Sequence, residues 1–266
     1  MKKDLSILIV NYNSKKYLIE CLESLNKYLF DFSFEVIVVD NDSTDEKISA
    51  QDFVDYDFVE FVQSTKNLGF GAANNLAAQK ANGEYLLLLN PDTVIVDNSL
   101  VRMFSFHCSH PEIAAMTCLL YQENGKDLQS HFFGRFQSLL GLTLRHYNYQ
   151  KADLDEEFFY ADIVTGGCLM IRKKLFEQID GFDEKFFMYL EDDDLCKRLV
   201  NLGYKNAVYT KAKIIHLEGK SAKNRKVKKK YYYKSQNYYW QKHNGLIATA
   251  IMKIMRWPLK VIEENL

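Results

Sequence analysis

The apolar positions of the first hundred residues fall into two alternating patterns. Residues 5–10, Leu-Ser-Ile-Leu-Ile-Val, form a short, nearly continuous apolar run. This is the pattern of a strand covered on both faces. Residues 35–40 and 85–90 repeat it, and residues 58–63 form a weaker version. Between the first two runs, Tyr17, Leu18, Cys21, Leu22, Leu25, Tyr28 and Leu29 share one helical stripe. Asn13 or Ser14 is placed to cap that helix. The Ala-rich stretch 70–81 predicts a second helix, with Gly83 suited to a left-handed end. Strands alternating with helices at this spacing imply βαβ units and a parallel sheet with helices on both faces.

Beyond residue 100 the pattern loosens. Residues 114–120 and 128–131 suggest a hairpin around Asn124-Gly125. Residues 132–160 are aromatic, mixed in charge and carry no clear period. Residues 167–172 read as a strand. A helix over 191–201 ends at Gly203, with Leu195, Leu199 and Leu202 on one face. Residues 207–210 and 213–216 read as two short strands, and 222–243 and 246–262 as two helices parted near Asn244-Gly245. The expected division is 1–219 as one α/β domain, with 1–100 and 101–219 as its halves, followed by a basic helical extension over 220–266.

Composition sharpens this picture in three places. At 266 residues, 47% hydrophobic and 26% charged, the chain is neither disordered nor fibrous. No apolar run approaches the ~20 residues of a membrane span, and no leader is read at the start. Five widely spaced cysteines without a C-x-x-C pair argue for small buried residues in a reduced, cytoplasmic protein, not a zinc ribbon or disulfide framework. Residues 220–266 hold 12 Lys/Arg against 2 Asp/Glu, a net of +10, while residues 1–219 hold 22 against 33, a net of −11. An acidic body with a basic tail points to an anionic partner for the tail.

Ligands of open α/β sheets sit beyond the carboxyl ends of the strands. Polar groups follow the strand-like runs there: Asn11 after the first, Asp40 after the second, and Asn90 and Asp92 after the fourth. In Asn90-Pro91-Asp92-Thr93 the proline stops the ladder and leaves a carboxylate at the rim. A hard divalent cation takes one or two such carboxylates together with phosphate oxygens and water. The same aspartate would serve equally as a turn residue. The Gly-containing stretch from Asn67 and Gly69 to Asn74 runs into a helix whose N-terminus favours anions. It is not G-x-G-x-x-G, so dinucleotide binding fits poorly. Glu191, Asp192, Asp193 and Asp194 open a helix. Four acids exceed what the helix dipole calls for, and one near a cleft can act as a general base. His216, taken alone, reads as structural. His107 and His110 read as surface residues near a helix end at Pro111.

Together these segments resemble family 2 glycosyltransferases of the GT-A fold, and within them a bacterial rhamnosyltransferase-like branch. The matching segments are Ile9-Val-Asn-Tyr-Asn13, Val38-Val-Asp-Asn-Asp-Ser43, Asn67-x-Gly-Phe-x-x-x-Asn74, Leu89-Asn-Pro-Asp92, Gly166-Gly-x-Leu-Met-Ile-Arg172, Gly181-Phe-Asp-Glu184 through Arg198, and His216. The resemblance implies an α/β GT-A architecture: a Rossmann-like nucleotide-binding half with a mostly parallel central sheet, plus C-terminal helices. It places Asn11, Tyr12, Asp40, Asn41, Asn67, Gly69, Asn74 and Asn90 on the donor nucleotide, with Asp40 taking the base N–H. Asp92 would hold Mn²⁺ or Mg²⁺ in the place of the last Asp of a D-x-D motif whose first position here is Asn90. His216 would be a further metal ligand. Asp192 would take the acceptor proton, with Glu191 or Asp194 positioning acceptor or base.

The implied activity is inverting, metal-dependent transfer from dTDP-rhamnose or a uridine-diphosphate sugar to a saccharide or lipid-linked acceptor, in cell-surface polysaccharide assembly. A sugar nucleotidyltransferase would want a basic Gly-rich loop after the first strand, where this chain has Asn-Tyr-Asn-Ser. A degenerate nucleotide-binding scaffold is the non-enzyme alternative. In the tail, the basic run 220–234, Tyr231–Tyr233, Tyr238, Tyr239 and Trp240, and the apolar face of 246–259 together read as an anchor on an anionic membrane surface. Helices packed on the body, or a contact between copies in a homo-oligomer, are the other readings. Nothing resembles a nucleic-acid module.

Overall fold

The computed structural model describes residues 4–29, 32–139, 141, 150–217 and 225–264. The central sheet runs β3-β2-β1-β4-β10-β6-β11-β5, with β8 added on β11. Its strands are β1 (Leu5–Asn11), β2 (Phe34–Asp40), β3 (Val59–Gln63), β4 (Tyr85–Leu89), β5 (Thr93–Ile95), β6 (Ile113–Tyr121), β8 (Phe158–Ala161), β10 (Cys168–Arg172) and β11 (Lys205–His216). A separate antiparallel pair joins β7 (Phe133–Gly134) to β9 (Ile163–Val164).

The first half follows the apolar pattern. β3, β2, β1 and β4 are parallel. Their register puts Asn11 opposite Asp40 and Asp40 opposite Gln63, so the polar strand ends line one edge. α1 (Lys15–Leu29) buries Leu18, Cys21, Leu22, Leu25 and Leu29. α2 (Phe70–Lys80) buries its alanines. α3 (Ser99–Ser109) completes this half.

The second half reverses direction. β10 is antiparallel to both β4 and β6, β11 is parallel to β6, and β5 and β8 are antiparallel to β11. Because β10 enters where β4 leaves, the Gly166-Gly167 turn lies at the edge that carries Asn90, and Asn90 N–H bonds to Gly167 O at 3.0 Å. The two short strands read over 207–216 are one strand, β11, whose pairing with β6 shifts register between Tyr209 and Lys213. That irregularity split the apolar pattern. β11 ends with His216 opposite Thr93. α4 (Lys173–Gln178) and α5 (Glu191–Asn201) follow β10 in sequence.

Several local expectations are corrected. Gly83 does not end α2; its backbone passes so close to β1 that a Cβ would meet Ser6 N at 2.5 Å. His107 is fully buried, with Nε2 on Ile113 O, and is not a surface residue. Burial pushes its imidazole down to about 4. Leu202, placed on the core face of α5, is exposed. Of the two capping candidates, Ser14 donates its hydroxyl proton to Asn11 Oδ1, and the Asn13 side-chain oxygen accepts from Thr44 N–H and Asp45 N–H. Four of the five cysteines are buried, and Cys108 is exposed.

α6 (Arg225–Glu264) is two helices joined at Gly245, where φ is 79°. The second leg folds back along the first: Met252 clusters with Tyr239 and Trp240, and Arg256 donates to Gln236 and Asn237. Tyr239 and Trp240 are buried against Phe186 and Leu190 and are not interfacial aromatics. Residues 218–221, and Lys220 and Lys223 of the basic run, lie outside the described residues. Among the described residues, no helix is long and apolar enough to cross a membrane.

Candidate active site

Four pieces of chain meet at the carboxyl edge of the sheet. The loops after β1 and β2 form the first. Asn11 donates to Asp40 Oδ1 at 2.8 Å and to Ser43 Oγ at 3.2 Å. Asp40 also accepts from Ser43 Oγ, Ser43 N–H and Gln63 Nε2. A carboxylate has about four lone-pair directions, and all are engaged. Asn11 and Asp40 are 0% and 2% exposed. Their side chains brace the loops; a base N–H would have to displace one of these donors.

The second piece is the turn into α2. Asn41 donates to Asn67 Oδ1 and accepts from Leu68 N–H, and Asn67 Oδ1 also accepts from Gly69 N–H. Gly69 has φ of 84°, and a Cβ there would lie 2.2 Å from Phe187 O. Only glycine permits that approach, which lets Phe70 N–H bond to Phe187 O at 3.1 Å. The donor-side loop is thereby tied to the segment leading into α5. Asn74 donates to Phe70 O within the first turns of α2 and is 1% exposed. Tyr12 and Asn67 are half-buried at the rim.

The third piece joins Asn90, Asp92 and His216. Asp92 Oδ1 lies 3.2 Å from His216 Nε2, and Asn90 Nδ2 lies 3.1 Å from the same nitrogen. Leu217 N–H bonds to Asp92 O, so the end of β11 is stitched to this turn. A Cβ on Gly167 would crowd Asn90 Nδ2 at 3.3 Å and His216 Cε1 at 3.6 Å. The donor set, a carboxylate oxygen facing an imidazole nitrogen, fits a divalent cation. Among the described residues no three His, Cys, Asp or Glu side chains converge on one point. Substrate oxygens and water would therefore supply the remaining ligands.

The fourth piece is the acidic start of α5. Leu190 adopts a left-handed conformation, with φ of 66°, and turns the chain into the helix. Asp192 accepts from Gly166 N–H at 3.1 Å and from Asp193 N–H at 3.0 Å. Burial raises it above the ordinary carboxylate range against the pull of those bonds. Glu191 and Asp193 are 6% and 8% exposed, and each keeps one carboxylate oxygen without a hydrogen-bond partner. Burial, then neighbouring negative charge, pushes both well upward. Asp194 behaves oppositely. Although burial alone would raise it, His243, Arg198 and Lys242 contact it at 2.7–2.8 Å and hold it below the usual range. Asp194 is thus an anchor for α6 rather than a group turned toward substrate.

A cavity of 580 Å³ connects the third and fourth pieces, lined by Asn90, Gly166, Glu191, Asp192 and Asp193. Lys228 and Tyr232 of α6 form part of its wall. Gln137, also in the wall, accepts from Trp240 Nε1 and Gln236 Nε2. The motifs named none of these three. The only sequence signal they carried was membership of aromatic or basic stretches without a clear period.

Comparison with known proteins shows the family and the fold. A model of "Glycosyl transferase family 2" matches residues 6–180, and one of the "N-terminal domain of galactosyltransferase" matches 145–220. Rhamnosyltransferase WbbL of Escherichia coli is 30% identical over 206 residues, covering 73% of this chain and 75% of its own. The N-acetylglucosaminyl-diphospho-decaprenol L-rhamnosyltransferase of Mycobacterium tuberculosis is 26% identical, covering 80% of this chain and 75% of its own. The solved structure of GalNAc-T7 with UDP, GalNAc and Mn²⁺ superposes with a TM-score of 0.65 at 17% identity. It covers 82% of this chain, which spans 45% of that one, and the likeness is one of fold. The chain is a GT-A enzyme belonging to glycosyl transferase family 2, of the rhamnosyltransferase-like kind.

Proposed function

We propose that the protein transfers a sugar from a nucleoside-diphosphate donor to a saccharide or lipid-linked acceptor with inversion at the anomeric carbon. One observation carries the reading. The Gly166-Gly167 turn holds Asp192 through one amide and Asn90 through the next carbonyl. Asp192 and Asn90 therefore line one cavity, and Asn90 in turn contacts His216, which pairs with Asp92.

In a single displacement the acceptor oxygen bonds to C1 as the bond from C1 to the diphosphate oxygen breaks. The acceptor proton passes to Asp192. Its raised affinity for protons suits a base, and the two N–H groups keep the carboxylate oriented. Glu191 stands beside it, placed to accept from an acceptor hydroxyl. Asn41, Asn67, Gly69 and Tyr12 shape the nucleoside side, with Asn11, Asp40 and Asn74 supporting the loops from behind. Asp92 and His216 would hold Mn²⁺ or Mg²⁺, which supplies charge stabilisation to a leaving diphosphate. The residues of 1–219 carry this machinery in our reading, and 220–266 buttress it. The donor in our reading is dTDP-rhamnose or a uridine-diphosphate sugar; the names of the relatives favour transfer of a rhamnosyl group and a diphospholipid-linked sugar as acceptor.

Thermal unfolding with UDP, dTDP or GDP, each with and without Mn²⁺, tests the site. Ligand at 100 times its Kd stabilises by about 2.7 kcal/mol. A metal-dependent shift with one nucleotide is expected. No shift with any would return the reading to a degenerate scaffold.

We also place the enzyme at the inner face of the plasma membrane. The first leg of α6 is committed to the body, but the second leg leaves Leu246, Ile247, Ile251, Ile254 and Trp257 exposed on one face. The antiparallel fold of the two legs sets Trp257 near the end that carries exposed Lys226, Lys230 and Lys234. An apolar face beside basic charge suits an anionic bilayer. Replacing Ile247, Ile251 and Ile254 by Ser should cut co-sedimentation with phosphatidylglycerol vesicles. Unchanged binding, or loss of a dimer instead, would overturn the membrane assignment.

A further inference from the structure

We propose that Gln129 is a positioning residue. It holds the His216 imidazole in the Nδ1–H tautomer and so turns a bare Nε2 toward Asp92. The inference rests on the reading of Asp92 and His216 as ligands of a divalent cation, and it concerns a residue that no motif singled out.

The argument is one of hydrogen-bond direction. Gln129 Nε2 donates to the His216 carbonyl oxygen at 2.6 Å. An amide has one nitrogen and one oxygen, so this bond decides which atom faces the ring. It is Oε1, 2.9 Å from His216 Nδ1. An oxygen there can only accept, so Nδ1 carries the proton. A neutral imidazole has a single N–H, and Nε2 is left with its lone pair. Asn90 Nδ2, 3.1 Å away, can donate to that lone pair, whereas Asp92 Oδ1, 3.2 Å away, cannot. Two acceptors this close need positive charge between them. The opposite tautomer would spend Nε2 on a proton and set Gln129 Oε1 against a lone pair.

Gln129 is well placed for this task. It is 6% exposed, and its own N–H bonds to Leu120 O at 2.8 Å. Tyr121 and Leu128 bridge beside it. Its backbone is thus fixed to the end of β6, and its side chain grips both the backbone and the ring of one residue. Partners of this kind set the tautomer and basicity of metal-binding histidines, and losing them typically weakens metal binding 10–100-fold.

The test uses the full chain labelled with ¹⁵N-histidine. In wild type with saturating Mg²⁺ and UDP or dTDP, the His216 ring should show a protonated Nδ1 and no proton on Nε2. Gln129→Leu, which removes both bonds, should mix the tautomers. Mn²⁺ affinity in the presence of UDP or dTDP, read by electron paramagnetic resonance, should fall roughly 10–100-fold in Gln129→Leu. An Nε2–H tautomer in wild type would overturn the proposal. So would Mn²⁺ binding unchanged in Gln129→Leu but lost in His216→Ala. If His216→Ala also leaves Mn²⁺ binding unchanged, the cation site itself is wrong and the positioning role falls with it.

Discussion

The donor-side loops and the acidic start of α5 lie at the same edge of the sheet but handle polarity in opposite ways. Around Asn11, Asp40 and Asn41 every named amide and carboxylate is answered by a donor or acceptor nearby. Glu191 and Asp193 are also buried, yet carboxylate oxygens are left without partners. A satisfied polar network rigidifies, while unpaired buried charge is costly and persists where a site uses it. The first region therefore reads as a preorganised frame. The second is where the fold leaves buried carboxylates unpaired, and there our reading puts the reacting groups.

The comparison predicts different phenotypes for superficially alike Asp substitutions. Asp192→Asn should lower transfer by roughly 10²–10⁴-fold, the usual contribution of general-base catalysis. Nucleotide binding should persist nearly unchanged, and equal loss of both would remove the base role. Asp40→Ala should act on the fold instead. It strands the donors of Asn11, Ser43 and Gln63, and should cost at least about 2 kcal/mol in urea unfolding. A stable Asp40→Ala protein with weakened nucleotide binding would turn Asp40 back into a contact residue.

Asp193→Asn should go the other way and stabilise the protein at neutral pH. The sign follows from linkage. The folded-state value lies well above the unfolded one, near about 3.9. Between the two, the folded chain holds a proton that the unfolded chain has shed, so stability falls as pH rises. Removing the titration should flatten that fall, and unfolding at pH 5 and pH 8 reads it. A destabilised Asp193→Asn would mean that the lone oxygen has a partner in solution.

Much of the first region was legible in the sequence. Apolar runs covered on both faces have few alternatives to strands of a parallel sheet, and polar residues closing each run must emerge at the same edge. The stripe of α1 and the break at Asn244-Gly245 followed from spacing alone. The second region was less legible because its pairings are distant and mixed in direction. β11 read as two strands because its register with β6 shifts midway. The aromatics of α6 read as interfacial because composition is blind to the cluster of Phe186 and Leu190 that covers Tyr239 and Trp240. His107 read as exposed because a lone histidine at a helix end carries no mark of its burial.

By itself, the sequence determined the fold class, the edge at which chemistry would gather and the residue types available there. Period, run length and strand-end polarity are local properties, and the hydrophobic effect acts on them in any context. Only the tertiary structure decided which carboxylates are satisfied and which are not. Asp40, Asp192, Asp193 and Asp194 are the same side chain, separated by what other segments bring to each. Asn11, Ser43 and Gln63 surround the first, Gly166 orients the second, burial strands the third, and Arg198, Lys242 and His243 neutralise the fourth. Electrostatics at a buried site is set by neighbours distant in the chain, and so, in our proposal, is the proton on His216, which the amide of Gln129, held beside the end of β6, directs.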